Sequence, residues 1–356
     1  KRALAIYRPQ LGDDHPDVGE ILYLLSLSYK GTGDYEQSME CSKQAIAIAE
    51  KAFGPDHLKV AAPLGSLADV LSIIAKYSQA IDLYKRALKI HREKLGPDHP
   101  ECSENLNAIG MIYKKLGNYH EAEKNYRESL AIVEKVFGPN HPKVAMYVHN
   151  LGVIYRKLKQ HSSSNDAFQR AMKINVETFG TDHPLVAGNM VGIALSIVKS
   201  GGNLDEARDM LLKTIEIFTA KLGPMHEKVA LSLNYLAEVY RKQGLFGRGQ
   251  AETTYEKALK INQHAYGDFT DHPEIAENMN GLAQVYTAQM NYAKAEPMFL
   301  AAIAMSERTL GVNHVHVINR YRNLAKMYTN QGLIEKAKKA FQKVEELQAM
   351  PAIVGE

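Results

Sequence analysis

The chain has 356 residues, 45% of them hydrophobic and 23% charged, enough to bury a large core, and on length alone it suggests two or three globular domains. Its formal net charge of +3 makes no general case for nucleic acid or membrane, and no apolar run approaches the roughly 18 residues of a membrane span. Cys41 and Cys102 are the only thiols, which excludes a disulfide framework and suits a reducing compartment, so a cytoplasmic location is expected.

The first predicted element, residues 1–11, reads as the end of a helix. KRALAI at 1–6 matches KRALKI at 85–90 and no signal-peptide pattern precedes it, so the start is read as a cut inside a larger protein. A corner motif then returns along the chain: FGPDHL at 53–58, LGPDHP at 95–100, FGPNHP at 137–142 and FGTDHP at 179–184. Its glycines, Gly12, Gly54, Gly96, Gly138 and Gly180, are 42 residues apart, and Gly223, Gly267 and Gly311 follow at 43, 44 and 44. One extra residue falls in SGGNLDEA (200–207), two in GLFGRGQAETTYEKAL (244–259) and two in GDFTDHP (267–273). Self-similarity at such a period marks a solenoid array and overrides the domain count from length.

Each repeat reads as two helices, A and B. In the fourth, Val144, Val148, Leu151, Gly152 and Tyr155 fall on one helical face. In the third, Tyr119, Ala122, Tyr126, Ser129, Leu130, Val133 and Phe137 form a second, longer stripe, joined to its A-helix by KLGNY (115–119). No segment sustains period-2 alternation, so the chain is predicted to be all-α.

The corner motif has a local explanation. Gly138 suits the left-handed position after a helix end, and Pro139 cannot continue that helix. Pro142 fits the first turn of the next helix, and Asn140 or His141 can cap its exposed donors. One histidine sits in each repeat: His15, His57, His99, His141, His183, His226, His272 and His314. Corners of stacked repeats should lie about 10 Å apart, the spacing of packed helices. Zinc ligands must converge to about 2 Å from one ion. The histidines are therefore read as architectural, with no metal.

NLNAIGMIYKKLGNYHEAEKNYRESL (105–130) resembles the tetratricopeptide pattern, with Ile109, Gly110 and Tyr113, then Gly117 and Tyr119, then Ala122. Leu151, Gly152 and Tyr155, then Leu236, Ala237 and Tyr240, then Leu282, Ala283 and Tyr286 repeat its first part. The ordinary period of that family is about 34 residues. The longer form with a GPDHP-type linker is similar to the repeats of kinesin light chain and nephrocystin-type proteins. The resemblance implies a right-handed superhelical solenoid of about eight helix-turn-helix repeats. They run approximately over 12–53, 54–95, 96–137, 138–179, 180–222, 223–266, 267–310 and 311–350, as one array. Departures from the pattern carry expectations of their own. Pro63 lies near the start of an A-helix whose aromatic position is Leu71. The fifth repeat has Ile197 at that position, with Gly188 and Gly192 inside the helix lowering its propensity. Gly247 and Gly249 predict a longer loop before the sixth B-helix, and Pro297 predicts a distortion in the seventh. Bending is expected in repeats five to seven.

In this family the A-helices line the concave surface. The A-helix positions off the core stripe include Asn107, Met111 and Lys114 in repeat three, and His149, Val153 and Arg156 in repeat four. Val191, Leu195 and Lys199 follow in repeat five, Asn234, Glu238 and Arg241 in repeat six, and Asn280 in repeat seven. By the resemblance, Asn107, Asn234 and Asn280 clamp the backbone of an extended peptide, with His149 and Arg322 as substitutes; a solvated helix surface explains them equally. Asn150 and Asn323, one position along, support the same face or the neighbouring helix. Lys114, Lys115, Arg156, Lys157, Lys199, Arg241 and Lys242 form a basic edge. Cations at helix C-termini also gain roughly 0.3–1 kcal/mol each from the dipole, although that effect would not favour the middle of the array. The expectation is a groove across repeats three to six for an acidic, partly apolar peptide, with Met111, Val153, Val191 and Leu195 as apolar pockets.

The sequence holds no phosphate loop, no H-E-x-x-H helix and no EF-hand run. GLFGRG (244–249) follows a predicted helix rather than a strand, HEKVA (226–230) lacks a second histidine, and Cys102 takes a core position. No cofactor, small-molecule substrate or membrane is expected. The leading reading is a non-catalytic protein-interaction scaffold, such as a motor-cargo adaptor. An RNA-binding helical repeat and a regulatory domain of a larger enzyme are the alternatives; against RNA, the edge lacks interleaved exposed aromatics.

Overall fold

The computed structural model describes residues 2–244, 249–267 and 270–350, and among them the chain is all-α, with 17 helices and no strand. It divides into two compact units, Lys1–Gln160 and His161–Ile353. The first holds α1 (Arg2–Leu11), α2 (Pro16–Thr32), α3 (Tyr35–Phe53), α4 (Leu58–Ile73), α5 (Tyr77–Leu95), α6 (Pro100–Lys115), α7 (Tyr119–Phe137) and α8 (Pro142–Lys157). The second holds α9 (His161–Phe179), α10 (Pro184–Ser200), α11 (Leu204–Leu222), α12 (Glu227–Lys242), α13 (Gln250–Tyr266), α14 (Pro273–Ala288), α15 (Tyr292–Leu310), α16 (Val315–Asn330) and α17 (Ile334–Ala349). Within each unit a helix packs against the one before and the one after it, and α2 also touches α4, α10 touches α12, and α14 touches both α12 and α16. Each unit is therefore a stack of antiparallel hairpins, with its core built between nearest neighbours.

The corner motif ends one helix and starts the next. Gly138 donates its N–H to Glu134 O at 2.9 Å, closing α7. Its φ of 83° lies in the left-handed half of the map as expected, but its ψ of 161° is extended rather than left-handed helical. That region is essentially reserved for glycine. His141, not Asn140, then caps α8: its Nδ1 accepts the N–H of Lys143 at 3.1 Å. The same bond recurs at all eight corners, from residue i+2 to the histidine Nδ1, at 3.1–3.3 Å. Where the preceding helix ends in an aromatic residue, the imidazole stacks on it: Phe53 with His57 at 4.9 Å, Phe137 with His141 at 4.8 Å and Phe179 with His183 at 4.5 Å between ring centroids. The recurrent histidine is a backbone cap, held flat by a ring where an aromatic residue precedes it.

Some local expectations change in the packed structure. Pro63 and Pro297 lie inside α4 and α15, each of which runs on through its proline as one helix. Gly188 and Gly192 sit in an unbroken α10. The reason at Gly192 is packing, since a Cβ there would lie 2.5 Å from the Phe168 ring. Seven residues separate α12 from α13, against three between α6 and α7, and 245–248 of them lie outside the described residues. Gly249 caps α13 at φ 74°, and Gly247 lies outside the described residues.

Candidate peptide-binding faces

In the first unit the candidate face is built on α6 and α8. Their polar positions recur at helical spacing, so they share a side of each rod. Asn107, half-buried, accepts the Asn150 Nδ2–H at 3.1 Å, so Asn150 ties one A-helix to the next. Met111 is 41% exposed, and His149 and Val153 are half-buried. Lys114 is half-buried, and burial lowers its ammonium pKa, with Lys115 adding to the effect. No carboxylate among the described residues offsets that burial. Arg156 is also half-buried; its Nε is shut off from solvent and bonds nothing among the described residues.

In the second unit α10, α12, α14 and α16 enclose an open polar cavity of about 260 Å³. Lys199, Glu238, Arg241, Glu277, Asn280 and Arg320 are among the residues that line it. Lys199 pairs with Glu238 at 3.1 Å and Arg320 with Glu277 at 2.8 Å. Arg241 has a buried, unbonded Nε, as Arg156 does. Two of the clamp asparagines lie deeper than a solvated surface, since Asn234 is 6% and Asn280 is 5% exposed. Their side-chain oxygens are occupied: Asn278 Nδ2–H donates to Asn234 at 3.0 Å, and Asn323 Nδ2–H to Asn280 at 3.1 Å. Asn278 in turn accepts from Asn262 Nδ2 at 2.7 Å, so a buried amide chain links α12, α13 and α14. Buried amides demand such partners. Leu195 is buried in the hairpin core, and Val191 is half-buried between two core clusters, so apolar side chains on this face are fewer than the stripe suggested.

Two features escaped the reading of the sequence. Arg320 is 2% exposed at a position where other repeats place Tyr147, Asn189, Ser232 or Asn278. A lone charge in that register was the available signal. The second is an apolar hollow of about 190 Å³ in the first unit, lined by Pro16, Gly19, Tyr23, Ala45, Phe53 and Pro63 among others. Pro63 stood out only as a departure from the repeat pattern near the start of an A-helix, because nothing local says that it faces a cavity. No helix among the described residues is long and apolar enough to cross a membrane.

Comparison with known proteins places this architecture. The tetratricopeptide repeat family model matches residues 1–51, 27–93, 76–132, 101–175, 198–263 and 274–349. No curated protein sequence matches the chain. Among solved structures, a Podosopora anserina protein described as a kinesin light chain with nearly identical repeats is 21% identical, with a TM-score of 0.52, over 58% of this chain and 98% of its own. BtubC (BKLC) from P. vanneervenii is 20% identical, with a TM-score of 0.51, over 67% and 91%. A Rap protein complexed with Competence and Sporulation Factor is 12% identical, with a TM-score of 0.59, over 94% and 98%. At these identities the likeness is one of fold. With helix hairpins stacked in both units and the family pattern matched along most of its length, the chain belongs to the tetratricopeptide repeat family, a scaffold suited to protein interaction.

Proposed function

We propose that the protein is a non-catalytic scaffold that binds an extended acidic segment of a partner protein on its A-helix faces. Lys114, Arg156 and Arg241 carry the proposal. Elsewhere arginines meet carboxylates, as Arg86 does Glu50 at 2.5 Å and Arg308 does Asp271 at 2.5 Å. These three cations are partly withdrawn from water with no such partner among the described residues. Withdrawing a cation is costly unless an anion meets it, and each well-formed charge-assisted hydrogen bond returns roughly 1.5–3 kcal/mol. Met111 and Val153 beside Lys114 and Arg156 give the segment its apolar contacts. Adaptor use between a motor and its cargo is the finer reading, supported by the kinesin light chain type of the repeat.

The test is titration of a labelled acidic peptide against the intact chain and an Arg156→Glu, Arg241→Glu variant. Affinity should fall at least about ten-fold, the loss of one such bond. Equal affinity at low salt rejects the assignment, and binding of a short RNA but no peptide transfers these cations to nucleic acid.

A further inference from the structure

His91 on α5 is the only buried histidine among the described residues, at 8% exposed, and the residue it meets, Asn105 on α6, is 7% exposed. Asn105 Nδ2 lies 2.8 Å from His91 Nδ1 and 2.7 Å from the backbone oxygen of Glu101. The second contact fixes the amide, because a backbone carbonyl can only accept, so Nδ2 and not Oδ1 points this way. The amide then fixes the imidazole. Nδ1 faces an N–H and must accept, which leaves the ring neutral with its proton on Nε2. Asn262 and Asn278 hold the equivalent places between the sixth and seventh repeats and bond at 2.7 Å. The register therefore takes a buried polar pair there as well, and between the second and third repeats one member of it titrates.

The ring is buried yet reachable, since it lines an open cavity of about 240 Å³ with Asp69, Tyr84, Glu101 and Glu104 among others. From α4 comes Asp69, already held by Lys30 and by the Tyr84 hydroxyl. From α6 come Glu101 and Glu104, the latter 3.8 Å from Lys143. Burial is the largest influence on the His91 imidazole and holds it below its ordinary 6.5; Glu101 pulls it up, and His99 at the corner pushes it further down.

We propose that His91 is a proton-sensitive latch between the second and third repeats. Neutral, it holds Asn105 and with it the first half of α6. Protonated, Nδ1 becomes a donor facing a donor, the bond is lost, and the ring turns to the carboxylates of the cavity. Solvent in that cavity supplies the proton. The latch stands whether or not an acidic segment binds. A locked ring resists the proton that a released ring takes up at about 6.5, so the released fraction should grow by up to about ten-fold for each pH unit below that value, until the locked ring itself titrates.

The experiment follows hydrogen exchange of the intact chain from about pH 7.5 to about pH 5, corrected for the intrinsic rate at each pH, in the wild type and in His91→Asn, which copies the Asn262 pair. Protection over residues 100–112 should fall by up to about ten-fold per unit below about 6.5 in the wild type and hold in the variant. The corner histidines are present in both proteins, so the difference reads His91 alone. Parallel profiles overturn the latch. Should His91→Asn fail to fold, NMR of the wild type decides. Near pH 7.5 Nδ1 must be bare and Nε2 must carry the proton, and on acidification the Asn105 side-chain amide must move together with the ring. A proton on Nδ1 at neutral pH, a ring still neutral at about pH 5, or an Asn105 amide that stays still while the ring titrates overturns it.

Discussion

The corner histidines allow a cap and a ring contact to be weighed separately. His99 and His141 accept the N–H of Glu101 at 3.3 Å and of Lys143 at 3.1 Å, but His141 also stacks on Phe137 with centroids 4.8 Å apart, whereas Leu95 closes the helix before His99. Removing a side-chain N-cap costs about 1 kcal/mol, within a range of roughly 0.5–2. An aromatic pair adds about 0.5–1.5 kcal/mol beyond its buried area. His99→Ala should therefore cost about 1 kcal/mol and His141→Ala about 2. Asparagine restores the cap without the ring, so His99→Asn should be near neutral while His141→Asn keeps a loss of about 1 kcal/mol. Urea unfolding followed by far-UV circular dichroism measures all four, and both sites lie in the first unit, so the comparison is internal. His99→Asn proving as damaging as His99→Ala would refute the cap. Equal costs for His99→Asn and His141→Asn would refute the stack.

A Cβ at Gly281 would lie 2.4 Å from the Tyr255 ring, so Gly281→Ala should cost about 1–3 kcal/mol despite the better helix propensity of alanine. Gly65→Ala, with nothing within 4 Å of the new atom, should instead gain up to about 1 kcal/mol in the same unfolding assay. Asn278→Ala strands Asn262 Nδ2 and the Asn234 oxygen, at a cost of about 1–3 kcal/mol for each group, read as a lower urea midpoint; an unchanged midpoint would show that the amide chain adds no stability. Burial holds the His272 imidazole below its ordinary 6.5, with Glu227 pulling the other way. A depressed imidazole binds protons more readily in the unfolded chain, so its contribution is complete above about 6.5 and is lost as the pH falls from there through the lowered value. Between about pH 7 and pH 5 the wild type should lose more stability than His272→Asn. Comparison with that variant is needed because burial raises the nearby Glu274 carboxyl, which acts in the opposite sense. A parallel loss in both proteins would sink the assignment.

Much of this architecture is written in local chemistry. The 42-residue period, the paired helices and the glycine and histidine of each corner need only neighbours a few residues away, because caps and turns are short-range devices. The candidate faces were legible as helix positions, and Arg156 and Arg241 each keep a buried Nε there that bonds nothing among the described residues. Depth was not legible. Leu195 and Asn234 lie on the same kind of register position as Met111 and Asn107, yet the first two are buried while Met111 stays exposed. Asn280 accepts from Asn323 43 residues away, and Arg320 reaches Glu277 across the same interval. Sequence by itself determined where each helix begins and ends, since a side chain that caps a backbone needs no distant partner. Only the tertiary structure decided which polar groups are consumed between adjacent A-helices, because burial depends on what the next repeat places alongside.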